Sequence, residues 1–290
     1  MTVYIASTEK NIGIIQEDLF IQGAYLKMGV DSKIETLAQI TEEAKSDDTV
    51  ILKSIWGYHT HYEEFLKQIA CLKSKNVGLI NDYEYIYWNT DKSEYLKAIH
   101  FLKIIPTKAL FFNKARSIHD IENIILSSTK DFQDERLVIK PTISASGYLT
   151  FVYNKKSKNA CLQELLEHKS LIFLVQPFRP EIDAGEISLV VINGKIKYGV
   201  KRFPGVFTQK QDAEFIDIST MEEGLLFRVK LLLDYFTKRF AFLPKICRVD
   251  FVKNKQDYEL MEIELIDPDL FFRILPKKLL NECLSELTTK

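Results

Sequence analysis

The sequence predicts an α/β protein that begins with a parallel sheet and continues into two regions of mixed helices and strands. In residues 1–90, short apolar segments alternate with segments of helical spacing, a pattern typical of a parallel sheet with helical crossovers. Farther along the chain, Asn193-Gly194 lies between two alternating apolar segments and predicts a tight antiparallel hairpin. Two more alternating segments, 247–252 and 258–266, are joined by a short polar connection and predict a second hairpin.

The composition is that of a globular protein in a reducing compartment. The 290 residues are 46% hydrophobic and 27% charged, which is ordinary for a folded chain with an ample core. A formal net charge of −1 and scattered basic residues give no reason to expect a nucleic-acid or membrane partner. The four cysteines are far apart and form no CxxC pair. We therefore expect a cytoplasmic protein that acts on small molecules.

The first region alternates strand and helix. Its start, Met1–Ala6, lacks the basic end and the long apolar run of a signal peptide. Ligands bind beyond the carboxyl ends of the strands in a parallel sheet. The loop after the third strand is therefore expected to present Trp56, Tyr58 and His59 to a substrate crevice. Strands are predicted at Val3–Ala6, Ser32–Thr36, Thr49–Lys53 and Val77–Ile80, and helices at Asn11–Met28 and Tyr62–Lys73.

The middle of the sequence predicts a region that contains a lysine at the end of a buried strand. A helix is expected over Trp88–Leu102, with Asn89 or Thr90 as its N-cap. The apolar strand Leu137–Pro141 carries Lys140 near its end, directly before a loop of small residues. The other elements of this region are strands at Lys108–Phe112, Thr150–Tyr153 and Leu171–Phe178 and a helix at Ile118–Ser128.

The last region predicts an antiparallel sheet. The Asn-Gly hairpin covers Glu186–Ile196 and continues to Arg202, and an amphipathic helix is expected at Glu222–Lys238. The two acidic strands then complete this sheet. The expected domains are 1–88, 89–176 and 177–290.

Three carboxylates lie on the two acidic strands. Glu262 and Glu264 are two residues apart, so they share one face of their strand, and Asp250 can face them from the partner strand. Like charges packed in this way repel each other unless a cation lies among them. An all-oxygen ligand set without Cys or His suits magnesium, with manganese as an alternative. From the residues alone, a solvated acidic face of the sheet is the competing interpretation.

The order of these features resembles the ATP-grasp superfamily from about Trp88 to Phe272. The similarity is to the ATP-binding region of bacterial glutathione synthetase and to the cyclo-ligase branch of D-cycloserine (O-ureido-serine) biosynthesis. It implies an N-terminal parallel-sheet domain followed by two α+β subdomains that clamp ATP. The features, in chain order, are Lys140, the Ser/Gly loop, Gln176-Pro177-Phe178, Lys201-Arg202, Asp250 and Glu262-x-Glu264.

The resemblance implies a role for each matching residue. Asp250, Glu262 and Glu264 correspond to the magnesium ligands, and Lys92 and Lys140 to the lysines that hold the ATP phosphates. Arg202 corresponds to the arginine that meets the acyl-phosphate, and Arg248 is expected to neutralise phosphate beside it. The remaining nucleotide contacts are Ser144, Ser146 and Gly147 in the lid over the phosphates, Gln176 and Phe178 near the adenine, and Glu186 near the ribose. Glu181 and Asp183 are alternatives for the ribose contact, and structural salt bridging is the alternative for the arginines.

Two positions depart from the family pattern. Glu264 stands where the family usually carries Asn, which adds a negative charge to the expected metal site. Gly57 stands between Trp56 and Tyr58, where the related branch carries an acidic residue. The first difference bears on metal binding and the second on contact with a substrate amine.

The resemblance implies an enzyme that forms C–N bonds. It would use ATP and magnesium to convert a small amino-acid-like carboxylate to an acyl-phosphate, which an amine or similar nucleophile attacks, with release of ADP and phosphate. Two alternatives remain open, a small-molecule kinase on the same fold and a non-catalytic ATP-binding module. A homodimer is a further expectation, because dimers are common in the family.

Overall fold

A parallel sheet opens the chain in this computed structural model, which describes residues 1–132, 135–145, 147–203, 213–255 and 257–289. Its four strands pair in parallel, as the alternation of the sequence predicted, and they follow the order β2-β1-β3-β4. The elements are β1 (Thr2–Ser7), α1 (Gln16–Lys27), β2 (Asp31–Thr36), α2 (Leu37–Glu43), β3 (Thr49–Ser54), α3 (Tyr62–Ser74) and β4 (Gly78–Ile80). Helix α2 was not predicted. Its start is fixed by a capping box between Thr36 and Gln39.

Two short helices and an antiparallel sheet follow. The elements are α4 (Tyr83–Asn89), α5 (Lys92–Ala98), β5 (Lys108–Phe111), α6 (Ile118–Ser128), β6 (Leu137–Pro141), β7 (Phe151–Tyr153), α7 (Lys158–Glu167) and β8 (Ile172–Pro177). The strands are ordered β5-β8-β6-β7 and pair antiparallel. Helices α6 and α7 cover one face, and their buried residues, such as Ile125 and Leu165, share a core with Phe173.

A second antiparallel sheet carries the two acidic strands. The elements are β9 (Glu186–Ile192), β10 (Lys195–Arg202), β11 (Ala213–Ile216), α8 (Glu223–Phe240), β12 (Ile246–Asn254), β13 (Asp257–Glu264) and α9 (Lys277–Thr288), with strand order β11-β10-β9-β12-β13. The predicted Asn-Gly hairpin is confirmed. Asn193 (φ 52°) and Gly194 (φ 71°) both lie in the left-handed region, as the two-residue turn requires.

Two apolar cores join this last sheet to the rest of the chain. One contains Val3 and Ile21 from the first region together with Ile192 and Tyr198 from the last sheet. The other packs Tyr95 of α5 and the buried residues of α8 against the opposite face of the sheet. The first region is thereby packed against the sheet that carries the acidic strands. The domain boundaries at residues 88 and 176 stay a prediction.

The predicted N-cap at Asn89 or Thr90 is wrong. The capping residue of α5 is Asp91, whose carboxylate accepts a hydrogen bond from the Ser93 amide at 2.8 Å. Asn89 is engaged by β13 instead, because its side chain donates to the Ile263 carbonyl and accepts from the Leu265 amide. A side chain with better partners elsewhere does not cap its helix. None of the helices in the described ranges is long and apolar enough to cross a membrane.

Candidate active site

The register of β12 and β13 brings the three carboxylates together. Asp250 lies opposite Glu262, and Arg248 lies opposite Glu264. The pairing shifts by one residue directly after Asp250, so that Phe251 lies opposite Leu260. On the other side of β12, the neighbour of Asp250 is Ser188 of β9. The alternation in the sequence thus places the acidic residues on one patch of the sheet.

Two arginines bind these carboxylates. The Arg248 guanidinium is buried, and its Nε donates to Asp250 Oδ1 at 3.0 Å while its Nη2 bonds to Glu264. Arg202 donates from Nη2 to Asp250 Oδ2 at 2.9 Å and pairs with Glu186. Arg202, expected to meet an acyl-phosphate, and Arg248, expected to neutralise phosphate, therefore hold carboxylates in this structure. Two of these carboxylates, Asp250 and Glu264, are expected metal ligands.

The three carboxylates differ in pKa because their charged neighbours differ. Burial would raise the pKa of Asp250, but the guanidinium groups of Arg248 and Arg202 outweigh burial and lower it to about 2. Burial also opposes ionisation of Glu262, yet Lys92 and Lys140 lower its pKa overall. Burial raises the pKa of Glu264 to about 7, because the attraction of Arg248 does not compensate for it. Glu264 is therefore the carboxylate that titrates nearest to neutral pH.

We expect the free energy of unfolding to fall as the pH rises from about 4.5 to about 7 without added metal. The folded protein binds the Glu264 proton more tightly than the unfolded chain, whose pKa is near 4.5, so ionisation favours unfolding across this window. Glu264→Gln should remove a pH-dependent contribution of about 1 to 3 kcal/mol. Urea unfolding of both proteins at several pH values measures it. Parallel pH profiles for the two proteins would contradict the assignment.

Two lysines approach the carboxylates from other elements. Lys92, the first residue of α5, is buried, and its Nζ lies 3.1 Å from Glu262 Oε1 and donates to the Ser144 carbonyl. Lys140 at the end of β6 makes no hydrogen bond or ion pair within the described parts of the chain. Burial lowers the pKa of Lys140, and Lys92 adds to this, while Glu262 acts in the opposite direction. Both ammonium groups thus act on Glu262.

The loop of small residues lies over Lys92. Ser144 is buried, and its hydroxyl donates to the Pro141 carbonyl at 3.0 Å. Gly147 has a φ of 73°, which favours glycine, and Tyr148 follows it in the turn. Ser146, a predicted nucleotide contact, lies outside the described residues.

The segment at the end of β8 connects the two antiparallel sheets. Gln176 is buried and donates from Nε2 to Thr107 Oγ1 at 2.8 Å. The amide of Phe178 donates to the Arg136 carbonyl at 2.9 Å, and the Arg136 guanidinium lies 4.7 Å from the centre of the Phe178 ring. The backbone amide of Phe178 is therefore already used in a hydrogen bond within the protein. The predicted adenine contacts of Gln176 and Phe178 stay predictions.

The loop after β3 carries the three predicted substrate residues, and it places Tyr58 near the acidic groups. Burial raises the pKa of Tyr58, and the nearby charges of Asp267 and Glu262 add to the effect. The ring of His59 lies 4.8 Å from that of Tyr148, centre to centre, so the loop meets the Ser/Gly loop. Trp56 is 41% exposed and has no ring contact among the described residues. Tyr58 and His59 thus face the site, and Trp56 faces solvent.

A buried ion pair ties the first sheet to the segment after β13. Lys53 Nζ lies 2.6 Å from Glu17 Oε1 and also donates to the Pro268 carbonyl. Glu17 accepts from the amides of Leu270 and Phe272 at 3.0 and 3.2 Å. This pair was not predicted from the sequence. Lysine at the end of an apolar strand, the signal that marked Lys140, could have indicated Lys53.

A second ion pair that was not predicted from the sequence lies at the edge strand of the last sheet. Arg179 Nε lies 2.5 Å from Glu259 Oε2, and both side chains are largely buried. The pair connects the segment after β8 to β13. No local pattern marks it, because the two residues are 80 positions apart.

The donor set fits a hard cation, although the carboxylates are not arranged around one. Within the described residues, no group of three or more His, Cys, Asp or Glu side chains surrounds a cation position. The reason is that each carboxylate already has a cationic partner, which is Lys92 for Glu262 and Arg248 for Asp250 and Glu264. Carboxylate oxygens are the ligands that magnesium prefers. Magnesium binding would require these partners to be exchanged.

The three sheets and the acidic strands define the class of fold, which is the ATP-grasp fold. The predicted resemblance to the ATP-grasp superfamily is confirmed as a similarity of fold. D-cycloserine synthetase DcsG superposes with a TM-score of 0.78 at 16% identity, over 99% of this chain and 100% of that one. D-alanine–D-alanine ligase from Bacillus anthracis, complexed with ATP, gives 0.66 at 15% identity over 99% and 97%.

A third similar structure contains magnesium. The ATP-grasp ligase PsnB, complexed with a minimal precursor, Mg and ADP, gives a TM-score of 0.58 at 10% identity over 99% of this chain and 97% of that one. Neither a family model nor a curated protein sequence matches this chain. At these identities the likeness shows the fold, and the chemistry has to be argued from the residues.

Proposed function

We propose that the protein is an ATP- and magnesium-dependent ligase that joins a small carboxylate to an amine or a similar nucleophile. ATP phosphorylates the carboxylate, which gives an acyl-phosphate and ADP. The nucleophile then attacks the acyl carbon, a C–N bond forms, and inorganic phosphate leaves. The protein needs no covalent nucleophile of its own for this sequence of steps.

The observation that carries the proposal is the unpaired ammonium group of Lys140 beside the acidic strands. Lys140 is partly exposed, and the positive charge of Lys92 acts against it, so an anion is the expected partner. The neighbouring carboxylates do not fill this role, since Glu262 pairs with Lys92. A nucleotide phosphate supplies the missing negative charge. Magnesium held by the carboxylates would neutralise the remaining charge of the phosphates.

The other residues of the site bind and orient in this proposal. Lys92 and Lys140 hold the phosphates, and Asp250, Glu262 and Glu264 hold magnesium. Arg202 meets the oxygens of the carboxylate that is phosphorylated, since its guanidinium already binds carboxylates at this place. The residues that contact the rest of the nucleotide are Ser144 and Gly147 at the phosphates, Gln176 and Phe178 at the adenine and Glu186 at the ribose, with Arg248 supporting the metal ligands.

The substrate in this proposal is an amino-acid-like metabolite. Two of the similar structures are named for D-cycloserine and D-alanine, and the third holds a minimal precursor. The loop that reaches the site offers a phenol at Tyr58 and an imidazole at His59, which suit a small polar molecule. Trp56 is assigned to the outer wall of the crevice. These three residues select the substrate rather than perform the chemistry.

Turnover with isotope-labelled ATP tests the proposal. With magnesium and mixtures of amino acids we expect ADP and phosphate, together with a new amide product. Hydroxylamine should intercept the acyl-phosphate as a hydroxamate, because it is a strong nucleophile for activated acyl groups. Release of AMP would overturn the mechanism. A stable phosphate ester would identify a small-molecule kinase, and nucleotide binding without turnover would identify a non-catalytic module.

A further inference from the structure

Three arginine side chains lie against one phenylalanine ring in the segment that follows β13. The guanidinium carbon of Arg273 lies 4.8 Å from the centre of the Phe271 ring. Those of Arg202 and Arg248 lie 5.6 and 5.8 Å from it. Phe271 is 3% exposed, so water has little access to the ring. At such distances a guanidinium group is attracted to the face of an aromatic ring, and more strongly where water is excluded.

The backbone of Phe271 adopts a conformation that a bulky side chain rarely takes. Its φ of 56° and ψ of 31° lie in the left-handed region. Glycine would adopt this conformation without the steric cost. Strained residues of this kind persist where the surrounding structure holds them and are concentrated at functional sites. The strain therefore points to a role for the aromatic side chain.

Two carboxylates fix this conformation. Glu17 accepts the amides of Leu270 and Phe272 at 3.0 and 3.2 Å. Asp269 Oδ1 accepts the amide of Phe271 itself at 2.9 Å. Three successive amides are thus bound by carboxylate oxygens, which make strong acceptors. The ring of Phe271 is consequently held in one place beside the acidic strands.

The two arginines of the site lose their carboxylate partners when magnesium binds. Arg202 is held by Asp250 in this structure, and Arg248 by Asp250 and Glu264. In the proposed function Asp250 and Glu264 are magnesium ligands, so they are withdrawn from the guanidinium groups. The two like charges then repel each other without the carboxylate that they share. Magnesium takes oxygen ligands, so the contacts of the arginines with Phe271 are not exchanged.

The ring of Phe271 is a partner that both arginines keep. Arg202 also pairs with Glu186, and Arg248 Nη1 also donates to the Asp269 carbonyl at 3.3 Å. These two contacts are made to different elements, and each serves one arginine. The ring contacts both guanidinium groups, and it places them at a fixed distance from each other in the presence of magnesium.

We propose that Phe271 is a positioning residue, which holds the guanidinium groups of Arg202 and Arg248 in place while magnesium occupies the carboxylates. The assignment rests on the proposed ligase function. Phe271 contacts neither the substrate nor the nucleotide in this assignment and acts through the two arginines alone. Arg202 thereby stays where it meets the transferred phosphoryl group.

Binding of a mimic of the transferred phosphoryl group to the full chain tests the assignment. The probes are magnesium with ADP, and magnesium with ADP and aluminium fluoride, which imitates a phosphoryl group in transfer. Phe271→Leu removes the ring and keeps a buried apolar side chain. We expect it to weaken the binding of aluminium fluoride by at least about 5-fold. Its affinity for magnesium and ADP should be unchanged, and calorimetric titration measures both.

Phe271→Tyr is the conservative variant. It keeps an aromatic face for the guanidinium groups, so it should bind aluminium fluoride within about 2-fold of the wild-type affinity. This result would distinguish the ring from its apolar volume as the cause of the loss in Phe271→Leu.

Phe272→Leu is the matched control. Phe272 is 1% exposed and belongs to the same core, and no described arginine or lysine lies over its ring. Both leucine variants remove the same apolar volume and should lower the melting temperature of the ligand-free protein. Only Phe271→Leu should weaken the binding of aluminium fluoride, because a merely structural role would affect the two variants alike.

The assignment is overturned if Phe271→Leu binds aluminium fluoride as the wild type does, if Phe272→Leu loses as much affinity, or if Phe271→Tyr binds no better than Phe271→Leu. Wild-type protein that binds magnesium and ADP but not aluminium fluoride would also overturn it, while the nucleotide site of the ligase would stand. Wild-type protein that binds no nucleotide would overturn the ligase proposal and this assignment with it.

Discussion

Glu262→Gln is expected to lower the turnover number by at least about 10²-fold, because it removes a charged ligand of the proposed magnesium site. The neutral amide keeps the shape of the side chain and one oxygen acceptor, so the fold should be retained. Lys92 would lose its anionic partner but keep its hydrogen bond to the Ser144 carbonyl, and nucleotide binding should be altered less than turnover. ADP release at saturating ATP and a magnesium titration measure the effect.

Glu223→Gln is the matched control for this variant. Glu223 lies exposed in the first turn of α8, and the same chemical change there should leave turnover unchanged. Circular dichroism of both variants separates loss of chemistry from loss of structure. If Glu262→Gln turned over at the wild-type rate with the same magnesium dependence, Glu262 would not belong to the metal site.

The site could be predicted where it depends on the period of a strand. Alternation of side chains along β12 and β13 is enough to place Asp250, Glu262 and Glu264 on one patch, and the short polar connection sets the pairing of the two strands. The same local logic gives the Asn-Gly hairpin. These features depend on residues close together in the sequence, where backbone geometry leaves few choices.

The ion pairs could not be predicted, because their partners come from distant elements. Arg179 and Glu259 meet only once the two antiparallel sheets are in place, and Glu17 reaches the amides of Leu270 and Phe272 across the whole chain. The arginines illustrate the same limit. Sequence order suggested phosphate contacts for Arg202 and Arg248, with structural salt bridging as the alternative, and it could not name the carboxylates that the two arginines hold in the structure.

The error at the start of α5 has a comparable cause. Asn89 is a good capping residue by type, and local propensity favours it. The tertiary structure gives its side chain two backbone partners, one on β13 and one directly after it, which are worth more than one bond to the helix. Short helices such as α2 and α4 were missed because one or two turns give too few residues to show a helical period.

Arg248→Met should lower the free energy of unfolding by about 3 to 5 kcal/mol at neutral pH without added metal. The side chains of Arg248 and Asp250 are each 4% exposed, so removal of the guanidinium leaves a buried carboxylate without its main partner. In the wild type, the stability that ionised Asp250 gains from Arg248 is fully present above pH 3.8, the ordinary pKa of Asp. It is lost as the pH falls through about 2. Urea unfolding with a fitted slope measures the change.

Two further variants decide whether the burial of the charge causes the loss. Adding Asp250→Asn to Arg248→Met should restore part of the stability, because the unpaired charge is removed with its partner. Arg228→Met breaks a pair with Asp257, which is 45% exposed, and should cost only about 1 kcal/mol or less. Equal losses for Arg248→Met and Arg228→Met would mean that the network on β12 contributes no more than a surface pair. A graded result would establish Arg248 as the residue that keeps the carboxylates of the site together before a metal ion binds.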